Sequence, residues 1–143
     1  MRSSRLAALR DSSRRTGVAV LGATAVLGFV ASPAEASSYT SYLSNVSPGF
    51  ESSRWNDSGG TTVIKFTGCR DNYTDTGMHI LLRKDVLGID PAYVNGYFTN
   101  CFTSSTAVST GTWVDHGSGS YYFVVNSGMT GVNVWVNSLT ITY

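Results

Sequence analysis

The chain has 143 residues, of which ten are basic and nine acidic, so its formal net charge at pH 7 is +1. Only 13% of the residues are charged, against about a quarter in an average globular domain, while 42% are hydrophobic and 12% aromatic. This composition excludes an intrinsically disordered chain, and the length predicts one folded domain with one core.

The first part of the chain has the pattern of an export signal. Five arginines within residues 1–15 precede an uncharged stretch from Thr16 to Ser32, and the small residues Ala34 and Ala36 follow. The apolar core, Val18 to Val30, is too short to span a bilayer, which needs about twenty residues. We therefore expect a signal peptide over residues 1–36, cleavage after Ala36, and a secreted, extracellular protein with no membrane insertion.

Two export routes are compatible with this signal. Arg14 and Arg15 directly precede the apolar stretch, as in a twin-arginine signal. Gly17 and Val18 match that signal poorly, and paired arginines also occur in ordinary signal peptides. The sequence therefore favours the general secretory route.

The predicted mature chain, residues 37–143, is expected to form a single domain with a sparsely charged surface. It keeps five basic and seven acidic residues, a net charge of −2, and contains no basic run. Nucleic acid is therefore excluded as a partner, and anionic membranes are disfavoured. Ser, Thr, Gly, Asn and Tyr are abundant instead, as in extracellular β proteins that present hydroxyl and amide groups.

Two cysteines, Cys69 and Cys101, are present, and both lie in the predicted mature chain. In an oxidising compartment they predict one intramolecular disulfide, which contributes about 3.5 kcal/mol in the chain-entropy model. The two histidines, His79 and His116, lie in separate segments without metal-ligand spacing. We therefore expect neither a metal site nor a cofactor.

The mature chain has the pattern of a series of short strands. A Ser/Tyr-rich opening segment, Ser37 to Phe50, favours an edge strand. Runs of β-branched and aromatic residues follow at Thr61–Phe66, Met78–Arg83, Ala92–Val94, Tyr97–Phe102, Ser120–Asn126 and Val132–Tyr143. Asn95 and Gly96 predict a two-residue hairpin turn, because both tolerate positive φ. No helical period is present, so we predict an all-β fold, an antiparallel β-sandwich or jelly roll with one disulfide.

Alternation of side chains predicts the faces of the strands. Met78, Ile80 and Leu82 share one side of their strand, which places His79 on the outer side. In the last strand the valines at 132, 134 and 136 line one face, and the apolar set then shifts by one residue to begin again at Leu139. A bulge at residues 137–138 explains this shift better than a hairpin does, because Asn-Ser is a poor turn pair.

The row Asn133, Trp135 and Asn137 lies opposite those valines and is the strongest candidate binding site. An indole ring can pack on the apolar C–H patch of a sugar, while the amides bond its hydroxyl groups. The alternative is that the second sheet or the N-terminal segment covers Trp135, as the usual burial of tryptophan favours.

Trp55 and Trp113 stand next to turn residues, where a rigid scaffold often presents binding groups. We include both as candidate ligand contacts. The alternative is that their rings plug the open ends of a sandwich.

Two further segments have weaker functional patterns. The loop from Asp71 to Gly77 offers oxygen ligands but lacks the spacing of a calcium loop, so an Asx-type turn is favoured. Asp115 and His116 are sequence neighbours whose side chains diverge in an extended chain, so they form no catalytic pair by themselves. We identify no catalytic residues.

These patterns predict a secreted, non-enzymatic module that binds an extracellular glycan through aromatic and amide side chains. The alternative is a secreted protein-binding or cell-surface structural protein, such as an enzyme inhibitor, whose loops around Trp55 and Trp113 insert into a partner. A small hydrolase ranks third.

Overall fold

A computed structural model describes residues 36–73, 77–126 and 132–143. The strands of this part of the chain are β1 (Ser38–Val46), β2 (Phe50–Glu51), β3 (Trp55–Asp57), β4 (Thr62–Asp71), β5 (Met78–Asp85), β6 (Ala92–Phe98), β7 (Val108–Trp113), β8 (Gly119–Asn126) and β9 (Val134–Thr142). A 3-10 helix, Asn100–Phe102, follows β6. Within these residues no helix has the length and apolar character needed to cross a membrane. Residues 1–35 of the predicted signal peptide lie outside the described residues.

The strands form two antiparallel sheets, which confirms the predicted all-β architecture. Sheet I has the order β1-β9-β4-β7, with β1 at its edge as expected. Sheet II has the order β2-β8-β5-β6, and β3 also pairs with β8. The sheets pack face to face, because the ring of Phe66 in sheet I lies 5.0 Å from that of Phe98 and 5.6 Å from that of Phe123 in sheet II.

The disulfide between Cys69 and Cys101 is present, as predicted. Cys69 lies in β4 of sheet I, whereas Cys101 lies in the 3-10 helix that follows β6 of sheet II. The bond therefore links the two sheets near one end. The strand that was expected to continue to Phe102 ends at Phe98.

The predicted hairpin turn at Asn95 and Gly96 is wrong. Strand β6 runs through both residues, and its register to β5 shifts there, with Ile80 opposite Gly96 but Leu82 opposite Tyr93. Gly96 does not have positive φ. Glycine is needed there for another reason: a Cβ atom would lie 2.7 Å from the ring of Phe98. The chain turns between β5 and β6 at residues 86–91 instead.

The apolar shift in the last strand arises from a bulge in one continuous strand, as predicted. Between β1 and β9 the register changes from Ser41 opposite Leu139 to Leu43 opposite Val136. Strand β4 changes phase at the same level, where Gly68 has a φ of +64°. Strands β4 and β9 change phase together. The register between them is therefore unbroken, with Thr67 opposite Ser138 and Cys69 opposite Val136.

Candidate binding site

Trp135 lies on the outer face of sheet I. Its neighbours in β9, Val134 and Val136, are each 1% exposed and point into the core, so the indole ring projects from the opposite side. The ring is half-buried. Sheet II therefore does not cover Trp135, because sheet II packs against the other face.

Arg70 partly covers the indole ring from the neighbouring strand. Arg70 is paired with Trp135 across β4 and β9, and its guanidinium carbon lies 4.7 Å from the ring centroid. This geometry is a cation–π contact. No local sequence pattern indicates this contact, since it depends on the register between two strands that are far apart in the chain.

Amide side chains lie two residues before and two residues after Trp135 in the chain, and a third lies in the neighbouring β1. The Asn133 side-chain nitrogen donates a hydrogen bond of 3.0 Å to Asn45 Oδ1, and the Asn133 backbone nitrogen donates one of 2.6 Å to Asn72 Oδ1. Asn45 can lie there because β1 bulges opposite Trp135, where Asn45 has a φ of +56°. Asn137 is exposed on the other side of Trp135 along β9. We call the set Asn45, Arg70, Asn133, Trp135 and Asn137 the Trp135 platform.

The rest of this outer face carries hydroxyl groups and one lysine. One row across the four strands consists of Thr40, Thr140, Lys65 and Thr110. Thr67 and Ser138 form part of the next row towards the Trp135 platform. Asp71 is the one acidic residue in the four strands of sheet I, and it pairs with the buried Val134, so it lies on the inner side.

Trp55 and Trp113 occupy different surroundings from Trp135. Each is only 4% exposed and belongs to the hydrophobic core. The ring of Trp55 packs 6.1 Å from that of Tyr143 and 6.5 Å from that of Tyr121. The structure thus offers neither indole ring to a ligand, which corrects their assignment as binding residues, and we leave both out of the candidate site.

The outer face of sheet II is closed by a network around Tyr122, which is 3% exposed. The Arg54 guanidinium lies 4.3 Å from the centre of the Tyr122 ring and forms ion pairs with Glu51 and Asp85. The Tyr122 hydroxyl donates a 2.6 Å hydrogen bond to Asp90. Burial, and to a smaller extent this hydrogen bond to the carboxylate, raises the pKa of Tyr122 to about 12. The same bond lowers the pKa of Asp90.

The loop between β5 and β6, which follows the Tyr122 network, has an apolar tip. Leu87 and Ile89 are fully exposed on either side of Gly88, whose φ is +113°. The base of the loop is held by Asp90, which accepts a 3.0 Å hydrogen bond from the backbone of Val86 and the hydroxyl bond described above. The tip is therefore presented by a fixed base.

The segments with weaker patterns have structural roles in the described residues. Asp71 Oδ1 accepts a 3.1 Å hydrogen bond from the Tyr73 backbone, as in an Asx turn, while residues 74–76 of that loop lie outside the described part. Asp115 accepts a 2.6 Å hydrogen bond from Gly117, whereas the His116 ring stacks 3.6 Å from the ring of Tyr93. The two neighbours thus face different partners. No cluster of three or more potential metal ligands occurs among the described residues.

A cavity of about 70 Å³ opens between β1 and β2. It is lined by Tyr39, Tyr42, Leu43 and Phe50, together with serine hydroxyl groups. Clefts that enclose small-molecule ligands usually have volumes of about 300 Å³ or more. This cavity is too small to enclose a sugar ring.

No protein-family model, curated protein or solved structure matches this chain.

Proposed function

We propose that this protein is a secreted, non-enzymatic module that binds carbohydrate on the outer face of sheet I through the Trp135 platform. The observation that carries the proposal is the position of Trp135, which lies outside the core and beside amide groups. The indole packs against the C–H face of a sugar ring, and Asn133 and Asn137 are placed to bond its hydroxyl groups.

The fixed geometry of the platform supports binding. Arg70 limits the rotation of the indole ring from one side, and Asn133 is tied to Asn45 and Asn72. Side chains that are already ordered lose little conformational entropy when a ligand arrives. The threonine and serine rows beside the platform, with Lys65 among them, extend a surface rich in hydroxyl groups on which a polymer of several sugars can lie.

The test is adsorption of the protein to a panel of insoluble polysaccharides. We expect Trp135→Ala to weaken adsorption about tenfold or more, which corresponds to about 1.4 kcal/mol. The matched control is Tyr97→Ala, because Tyr97 is an exposed aromatic residue paired with His79 on the outer face of sheet II. Unchanged adsorption of Trp135→Ala, or adsorption of the wild-type protein to none of the polysaccharides, would contradict the proposal.

Secretion is tested separately by the intact mass of the exported protein. We expect a chain that begins at Ser37. A recovered chain that still contains Arg14 and Arg15 would contradict the predicted cleavage.

A second candidate function, binding to a protein partner, is favoured by one observation. Leu87 and Ile89 expose two aliphatic side chains on a braced loop, which is an arrangement suited to an apolar pocket. This loop replaces the loops around Trp55 and Trp113 that the sequence suggested. The double variant Leu87→Ser/Ile89→Ser separates the two functions, because it should leave polysaccharide adsorption unchanged if the Trp135 platform is the site.

A further inference from the structure

The Arg70 guanidinium has no hydrogen-bond acceptor among the described residues. It lies over the Trp135 ring, and it forms neither of the two ion pairs that the described part of the chain contains. The N–H groups of this guanidinium donate no hydrogen bond to a described residue and are therefore available to a ligand. A planar guanidinium with open N–H groups matches the geometry of a carboxylate, which it can bind through two parallel hydrogen bonds.

The distribution of charge on sheet I points the same way. Lys65 and Arg70 both lie on its outer face, and no acidic side chain of its four strands does. The two cations are five positions apart along β4, roughly 15 Å at the usual rise per residue. This face therefore offers two positive charges in a line, among hydroxyl groups and without internal neutralisation.

The net negative charge of the mature chain does not oppose this arrangement. Most of the acidic residues in the described strands belong to sheet II, as Glu51, Asp57 and Asp85 do. Packed sheets are about 10 Å apart, so the outer face of sheet II lies farther than that from the outer face of sheet I, and Glu51 and Asp85 are already paired with Arg54. A ligand on the outer face of sheet I therefore experiences mainly the charges of that face.

We infer that the glycan bound by the Trp135 platform is an acidic polysaccharide, with Arg70 binding the carboxylate of a sugar that stacks on Trp135 and Lys65 binding a second carboxylate along the same chain. This inference rests on the proposed function and narrows it to one substrate class. It assigns the stacking to Trp135, the charge recognition to Arg70, and the direction of the polymer to strand β4.

The test compares two forms of one polymer, polygalacturonic acid and its methyl ester, which differ in the charge of the carboxyl group. Affinity electrophoresis or calorimetry at low salt measures both with the wild-type protein, Arg70→Gln, Arg70→Lys and Trp135→Ala. We expect the wild-type protein to bind the acid at least about tenfold more tightly than the ester, which corresponds to about 1.4 kcal/mol. Arg70→Gln should remove this preference, because it should weaken binding of the acid by a larger factor than binding of the ester.

Arg70→Lys and one further variant, Lys65→Gln, separate the contribution of charge from that of the guanidinium geometry. Arg70→Lys keeps the positive charge but not the fork of N–H groups, so it should retain only part of the preference. Lys65→Gln should reduce the preference by a smaller factor, and added salt should reduce it in the wild-type protein. Thermal melting of each variant shows that the fold is intact.

The outcomes separate this inference from the proposed function. Equal binding of acid and ester, or an unchanged preference in Arg70→Gln, overturns the acidic ligand while leaving carbohydrate binding in place if Trp135→Ala abolishes binding to both forms. Tighter binding of dextran sulfate than of polygalacturonic acid overturns the carboxylate assignment. Binding that Trp135→Ala does not change overturns both.

Discussion

The two outer faces of the protein carry the same contact with opposite consequences. On sheet II Arg54 lies over the Tyr122 ring, and on sheet I Arg70 lies over the Trp135 ring, at 4.3 and 4.7 Å. Arg54 also forms ion pairs with two carboxylates, and the Tyr122 ring beneath it is buried. Arg70 has no carboxylate partner in the described residues, and the Trp135 ring beneath it is half-buried. An arginine–aromatic pair thus closes a surface when acidic groups complete it and leaves a surface open when they are absent.

The difference follows from where the acidic residues fall in the strands. Glu51 and Asp85 come from strands on either side of β8 and converge on Arg54. The strands beside β9 place Asn45 and Arg70 near Trp135. Neither of these strands carries a carboxylate on the outer face. Arg70 thus forms no ion pair with a described residue, which supports the proposal that this face binds an acidic ligand.

We expect the two sheets to unfold together as one cooperative unit. Removal of the disulfide tests this expectation and should have the largest effect on stability. We expect Cys69→Ala/Cys101→Ala to lower the free energy of unfolding by about 3.5 kcal/mol, because the loop between the cysteines is no longer constrained in the unfolded chain. Urea unfolding followed by tryptophan fluorescence and by circular dichroism should give coincident transitions. Separate transitions would show that the two sheets unfold independently.

The two rings should differ clearly in their contribution to stability. Tyr122→Ala removes a buried side chain, and we expect it to lower the free energy of unfolding by about 3 kcal/mol. Trp135→Ala removes a ring outside the core and should lower it by about 1 kcal/mol or less. Urea titrations of both variants give the comparison. Equal losses would mean that Trp135 is a structural residue.

Tyr122 and Asp90 should give the face of sheet II a part in the pH dependence of stability, together with Tyr121 in the core, whose pKa burial also raises to about 12. The pKa of Tyr122 is about 12 in the folded protein against 10.0 in the unfolded chain, so its contribution is complete below pH 10 and is lost between about pH 10 and 12. Asp90 has a lowered pKa, so its contribution is present above the ordinary value of 3.8 and is lost as the pH falls through the folded value.

Urea midpoints measured across this range test the assignment. Tyr122→Phe should make the decline of the urea midpoint above pH 10 shallower. Asp90→Asn should make the decline of the midpoint at acidic pH shallower. Trp135→Ala is the control, because tryptophan does not titrate and the pH profile should keep its wild-type shape. A profile that Tyr122→Phe and Asp90→Asn leave unchanged would place the pH-sensitive groups elsewhere.

The smallest expected difference concerns the two arginines themselves. Arg54→Gln breaks two ion pairs and uncovers a buried ring, so we expect a small decrease in melting temperature. Arg70→Gln breaks no ion pair, and the melting temperature should stay within experimental error. A decrease in Arg70→Gln larger than that in Arg54→Gln would reverse the comparison.

Features that depend on local residue type could be predicted from the sequence. The alternation of valines around Trp135 placed that ring opposite the core, and the shift after residue 136 indicated a bulge. The two cysteines could pair only with each other. In each case the determining residues are neighbours in the chain or the only members of their type.

Features that depend on pairing between distant segments could not be predicted. Asn95 and Gly96 satisfy a local turn preference, but the glycine is required by the rings of Phe98 and Trp113, the second of which lies in another sheet. Arg70 joins the Trp135 platform only through the register of β4 and β9. The burial of Trp55 and Trp113 likewise depends on rings that no local pattern brings together.

The position of the disulfide has a consequence for the exposed loop at residues 86–91. Leu87 and Ile89 are the kind of accessible aliphatic residues that many endopeptidases cleave beside, and this loop lies in the segment between Cys69 and Cys101. A single cut there divides the backbone, but the two pieces remain joined by the sulfur–sulfur bond. The clipped protein would therefore migrate as one molecule on a non-reducing gel and as two fragments after reduction.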